Sequence, residues 1–453
     1  MIRREFIRCK VCGQFYTLRI YVTSLNEVTH SFFCYSCAQS ISYRIRKRSG
    51  QLLLSCIANC TKTKREGLVV NISTEFPISK DIVHADKIFP WFHFIQKALS
   101  ENPEEFKSVI SRRPTPDHLE TGDLEKIIKE ETQEAFRRRL DLKDQWKIVG
   151  TTWSLYNDRK GEECYKYIEK HYRTLGYQEH PHPKDLIVDF LGRRTYHRGA
   201  NVFKNLVELW SSAWKTNSQE CGRFLIYFCT NNDYVRTLKF MHDFVSSYMN
   251  NYDELMQLHL IYVFDLTVGD ELILGSNNFQ AVQSFYGDAF ERCSELLYIP
   301  TCMKNIAEGR SFDRLTQIDL ETYLGTEKAR RAENLRTMEL LDCLTSTLDP
   351  KIRNASHHAR IRFDKTSLRI TLKPSSKSKE HEITYISYID KCNQIVQATY
   401  GLYVFSLQFL YESVRSLLLA QSLGVSIELP QQDMEMFTSW LNDSRPQPER
   451  GTD

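Results

Sequence analysis

Two cysteine pairs near the start of the chain, Cys9-x2-Cys12 and Cys34-x2-Cys37, constrain its folding more than any other feature. A gap of 21 residues separates them, and each pair can bend into a tight knuckle that offers two thiolates to one tetrahedral ion. Between the pairs, QFYTLRIYVTS has the β-branched and aromatic content of a strand, and THSFFC leads back as a second. Spacing and strands together predict a zinc ribbon. The segment holds too little apolar material to fold alone, so the zinc is structural and no catalytic metal is expected. Redox dithiol chemistry is the alternative, although one pair would suffice for it. Cys56-x3-Cys60 is looser, and replacement ligands, a second metal or plain buried thiols all remain open.

The same segment is strongly basic. Residues 1–65 carry 12 Lys or Arg against two acids, Glu5 and Glu27, although the whole chain is only +3. Arg44, Arg46, Lys47 and Arg48 alternate in a strand-like way that suits one edge of a nucleic-acid groove. Tyr16, Tyr21, Tyr35 and Tyr43 are expected as exposed stacking partners. The competing reading is a solvated basic face whose partner is the acidic remainder of the same chain.

With 453 residues and 42% apolar content the chain can bury two to four domains. No apolar run is long enough to span a membrane, and MIRREFIRCK lacks the hydrophobic region of a secretory signal. Thirteen cysteines, an odd number with metal-type spacings, argue against a disulfide framework and for a reducing cytoplasm. Neither GxxxxGK[ST] nor GxGxxG occurs, nor G-x-S-x-G or H-E-x-x-H, so nucleotide-driven, nicotinamide, serine-hydrolase and zinc-protease chemistry find no support. The chain divides by pattern into a ribbon at 1–75, a helical middle at 84–284, a third domain at 285–428 and a polar tail at 429–453. Residues 329–348 read as one helix, TSLRITL (366–372) and EITYISY (382–388) as strands, and 389–424 as a long helix or a broken pair ending at Gly424.

The remaining chemistry is concentrated in Arg353-Asn354-Ala355-Ser356-His357-His358, directly after Asp349-Pro350. Asp349 suits an N-cap and Pro350 the first helical position, so a helix should begin here. Residues four apart then share a face, placing Arg353 over His357 and Asn354 over His358. A guanidinium near a helix N-terminus can grip a phosphate while an imidazole moves protons near neutral pH.

Read as Arg353, Asn354 and His358, this segment resembles the R-x4-H signature of the HEPN superfamily. The likeness covers roughly residues 285–425, including the two strands and the long apolar helix that follow the motif. It implies a mainly α protein in which the β-rich ribbon precedes a HEPN-like helical bundle carrying a β-hairpin insertion. It further implies a metal-independent endoribonuclease working as a homodimer, with two motifs facing each other. The ribose 2′-OH would attack the adjacent phosphate, Arg353 would neutralise that phosphate, Asn354 would orient it and His358 would move the proton. His357 departs from the family pattern and is either a second proton carrier or a tolerated neighbour. Only RNA supplies a 2′-OH, so DNA would not be cut. The layout also resembles bacterial abortive-infection effectors, which implies a phage-derived trigger. A noncatalytic nucleic-acid adaptor and a toxin held by an antitoxin are the competing expectations.

Overall fold

The computed structural model describes residues 2–21, 26–48, 51–111, 142–158, 160–177, 179–231, 234–357, 361–374 and 378–422. About 53% of the chain is helical, which makes the protein mainly α with a small β-rich region at the front. Contacts divide it into two compact units, each drawn from three stretches. Unit 1 takes Met1–Lys147, Val245–Phe290 and Thr347–Gln397, and unit 2 takes Ile148–Phe244, Glu291–Ser346 and Ala398–Asp453.

Unit 1 begins with two sheets that share one turn chemistry. Strands β1 (Ile2–Cys9), β2 (Phe15–Tyr21), β3 (Glu27–Phe33), β4 (Ser40–Arg48), β5 (Gln51–Ala58), β6 (Cys60–Lys62) and β7 (Leu68–Ser73) follow in chain order. They form a four-stranded sheet, β6-β1-β2-β7, and a three-stranded one, β3-β4-β5. All neighbours are antiparallel except β2 and β7, which run parallel with Tyr16 opposite Leu68. Alternation puts Ile41, Tyr43 and Ile45 of β4 inside, while Arg44 and Arg46 face outward. A further strand, β8 (Ile78–Ser79), pairs with β9 (Leu272–Ile273) and so ties the front of the chain to a segment two hundred residues on.

A buried carboxylate completes that tie. Glu254 accepts hydrogen bonds from Ser276 Oγ (2.6 Å), Asn278 N (3.1 Å) and Tyr385 Oη (2.7 Å). Burial pushes its carboxyl above the ordinary 4.5, and three donors satisfy the oxygens that burial would otherwise leave bare. Asn277 N donates in turn to Ser31 O of β3 at 2.9 Å, so ribbon, loop and the long helix Tyr385–Ser422 are joined through backbone.

Unit 2 is built on aromatic packing. Phe224 and Phe228 of the helix Ser218–Asn231 meet Phe409, with ring centroids 5.7 and 5.0 Å away, and Phe312 lies 5.7 Å from Phe224. Where the helix His197–Thr216 crosses the long helix, a Cβ on Gly401 would sit 2.2 Å from Gly199 O, so only glycine permits the approach.

Several local expectations change. Residues 329–348 are short helical turns, Lys328–Arg331, Glu339–Leu341 and Asp342–Thr345, rather than one helix. The carbonyls such a helix would use are taken elsewhere: Arg331 O accepts from Tyr323 Oη and Asn334 O from Lys304 Nζ. The stretch 382–388 is half strand and half helix. It leaves β12 (His381–Thr384), the last strand of a sheet with β10 (Ile361–Asp364) and β11 (Arg369–Leu372), and enters the long helix at Tyr385. Thr384 Oγ1 accepts from Ser387 N at 3.2 Å and caps the new helix. The helix runs unbroken to Ser422; Gly424, read as its stop, lies outside the described residues. Among the described residues no helix is long and apolar enough to cross a membrane.

Candidate functional site

Two constellations in unit 1 carry chemistry. In the first, β1 delivers Cys9 into a turn in which Gly13 N donates to Cys9 O (3.0 Å) and Cys9 N to Gln14 O (2.8 Å). The second turn repeats it, with Ala38 N to Cys34 O and Cys34 N to Gln39 O, both 2.8 Å. Each turn closes on a left-handed residue, Gly13 at φ +79° and Ala38 at φ +55°. Glycine takes that conformation freely; alanine holds it only because its surroundings impose it.

The two knuckles bring the Sγ atoms of Cys9, Cys12, Cys34 and Cys37 within 4.8 Å of one another. Cys9 and Cys37 stand 3.9 Å apart, and Cys12 and Cys34 3.5 Å. A tetrahedral ion with bonds of about 2.3 Å needs sulfurs roughly 3.8 Å apart, so the four fit one metal and are compatible with structural zinc. Ten backbone-directed atoms are not needed to see why Cys12 is ready for it: the Gln14 N–H holds its thiol down at about 6, in the thiolate range at neutral pH. Tyr16 accepts from Tyr35 N (2.9 Å) and lies 3.0 Å from Cys34 Sγ, so its proton is directed at the sulfur. Burial raises the Tyr16 phenol, which keeps it a donor.

Cys56 and Cys60 stay outside this cluster. Cys60 is buried opposite Cys9 in the β1–β6 register, donates to Ser42 O at 3.4 Å and is pushed up to about 12 by burial.

The basic strand is more engaged than its composition suggests. Arg46 Nε lies 2.7 Å and Arg44 Nε 3.3 Å from the Glu27 carboxylate, so two of the four cations share one acid. Arg48 sits on the same face and is exposed, while Lys47 alternates to the other. The tyrosines need correction: Tyr16 and Tyr43 are fully buried, Tyr21 is half-buried, and of the four only Tyr35, at 54% exposure, is open to a base. They are core residues because strand alternation turns their rings inward.

The second constellation is the helix Pro350–His357. Asp349 Oδ1 accepts from Lys351 N at 2.8 Å, and Asp349 O from Arg353 N at 3.1 Å, so the helix starts where Asp-Pro predicts. Ile352, Ala355 and Ser356 form its buried face, Arg353 and Asn354 are half-buried, and His357 is exposed. Arg353 Nη1 donates to Asn354 Oδ1 at 2.8 Å, which fixes one edge of the guanidinium. His358 lies outside the described residues.

Residues from the helix Phe285–Glu295 set this element in place, and none was singled out by pattern. Tyr286 Oη accepts from Asp349 N (2.8 Å) and donates to Thr347 O (2.6 Å), pinning the turn before Pro350. Gly287 makes room: a Cβ there would meet Ser356 Cβ at 3.1 Å and His357 Nε2 at 3.2 Å. From the long helix, Tyr388 Oη donates to Gln283 O at 2.9 Å.

No family model matches this chain, and neither the curated proteins nor the solved structures contain a match to it.

Proposed function

We propose that this protein is a metal-independent endoribonuclease of HEPN type. The observation that supports it best is the capped helix Pro350–His357, which holds the Arg353 guanidinium against Asn354 and carries His357 at its exposed end. A guanidinium fixed along one edge keeps its other N–H groups in a planar fork that matches a phosphate. In this reading the 2′-oxygen of the ribose bonds to the adjacent phosphorus as the bond to the 5′-oxygen breaks. A histidine of the motif, His358 or His357, takes the 2′ proton, and an acid returns one to the leaving 5′-oxygen. Arg353 balances the charge that gathers on phosphorus. The products are a cyclic phosphate and a 5′-hydroxyl end. A homodimer would supply both proton carriers from two copies of the motif, zinc would be structural, and a phage-derived trigger would start cleavage in a cytoplasmic abortive-infection role.

A second reading, a nucleic-acid adaptor, draws on the outward face of β4. Its weakness is that Arg44 and Arg46 already share Glu27. Capturing RNA 5′-hydroxyl ends from phage-challenged cells that express wild type, His358→Ala or Arg353→Ala separates the two. Ends that vanish in both variants support cleavage. Profiles identical across all three, with the proteins folded and abundant, would sink it in favour of the adaptor.

A further inference from the structure

A cavity of about 140 Å³ lies in unit 1, between the second cysteine knuckle and the turn that joins β10 to β11. Its walls come from four separated stretches of chain: the knuckle, the β7–β8 region, the 273–277 loop and residues 365–368. Most of the lining is apolar, including Val70, Ile78 and Leu274, yet two buried asparagines interrupt it.

Those asparagines have unmet acceptors. Asn71 Oδ1 and Asn277 Oδ1 are both buried and receive no hydrogen bond among the described residues. The orientation of Asn71 is not arbitrary, because its Nδ2 donates to the carbonyls of Ile82, Val83 and Ala85. Turning the amide over would set Oδ1 against three carbonyl oxygens. A buried acceptor without a donor costs on the order of 1–3 kcal/mol, so the pair is best explained by something that donates to it.

The mouth has a different chemistry. Lys365 is exposed, and its Nζ stands 5.5 Å from the centroid of the Phe33 ring, which holds the ammonium beside the opening. Tyr35, the exposed tyrosine of the knuckle, lines the same cavity. Two residues of the wall, Ala38 at φ +55° and Leu368 at φ +54°, are left-handed without being glycine. Such backbone persists where a binding site imposes it.

We propose that this cavity binds a cytidine nucleotide. Size selects a single ring: a cavity of about 150 Å³ accommodates benzene, which leaves no room here for a purine. The two acceptors select the base, since cytosine offers an exocyclic amine with two N–H donors where uracil offers a carbonyl oxygen. The phosphate then reaches Lys365 at the mouth. The ligand is either a free mononucleotide or a nucleotide within an RNA strand. The site is separate from the Pro350–His357 helix, and binding there does not depend on the cleavage reading.

Isothermal titration of the full-length, zinc-loaded protein tests this with CMP, UMP, cytidine and a short oligocytidine RNA. CMP should bind saturably and UMP roughly tenfold or more weakly, because its carbonyl would face an acceptor. Lys365→Ala should weaken CMP several-fold and leave cytidine unchanged, and Asn277→Leu should erase the preference for cytosine over uracil. Binding of the oligonucleotide alone places the ligand within a strand, and binding of CMP as well makes it a free nucleotide; both uphold the site. No saturable binding by a protein with intact zinc content and melting transition would overturn it, as would equal affinity for CMP and UMP. The Arg353→Ala protein should bind CMP like wild type, so failure of the cleavage reading leaves this result untouched.

Discussion

The cysteine cluster and the Pro350–His357 helix lie in the same unit, but they relate fold to chemistry in opposite ways. In the cluster the reactive atoms are the structure: four sulfurs within 4.8 Å of one another hold two turns and, through them, two sheets. In the helix the work is divided. Ile352, Ala355 and Ser356 anchor it, whereas Arg353, Asn354 and His357 are outside that buried face. One site cannot change without unfolding its surroundings, and the other can lose its reactive groups and remain folded.

The largest test of that contrast is removal of the metal. Cys34→Ser, or chelation of the wild type, should unfold the β-rich region, because structural zinc contributes on the order of 10–16 kcal/mol of apparent binding energy. Phe33 packs on Phe363 at 5.6 Å, so protection from hydrogen exchange should fall in the β10–β11 hairpin as well as in residues 2–73. A hairpin that kept its protection would show the ribbon to be an independent module.

Next in size is Gly287→Val, which crowds Ser356 and His357 from the opposing helix and should cost about 1–3 kcal/mol by chemical denaturation. Unchanged stability would mean that the motif helix is held more loosely than its packing indicates. Tyr16→Phe keeps the ring and removes only the hydroxyl proton aimed at Cys34. Zinc affinity, measured by competition with a chelator, should fall roughly 10–100-fold. Smallest of all, Arg353→Ala should move stability by no more than about 0.5 kcal/mol, while RNA cleavage is lost. A large destabilisation would erase the distinction between the two sites.

This difference also governs what could be read in advance. Both cysteine pairs, the strand that follows Cys12 and the helix start at Asp349-Pro350 are local signals, and each appears where its residues point. Tyr16 and Tyr43 were misplaced because composition says that a basic segment has aromatic rings, not which face of a strand they occupy. The 329–348 turns were hidden because Tyr323 and Lys304, both distant in sequence, take carbonyls a helix would need. Thr384, three residues before Ser387, did carry a capping signal that marks where strand becomes helix. The roles of Tyr286 and Gly287 had no such trace: a tyrosine and a glycine acquire meaning only from the turn and the helix set against them.

The parallel pairing of β2 with β7, and the discontinuous make-up of unit 1, bear on how the protein is born. At roughly 5–20 residues per second, the four zinc ligands leave the ribosome within the first seconds of synthesis. Tyr16 must then wait for Leu68, and Glu254 for Tyr385, before either finds its partner. A nascent chain can therefore capture its ion early, yet unit 1 closes only after translation has passed Gln397.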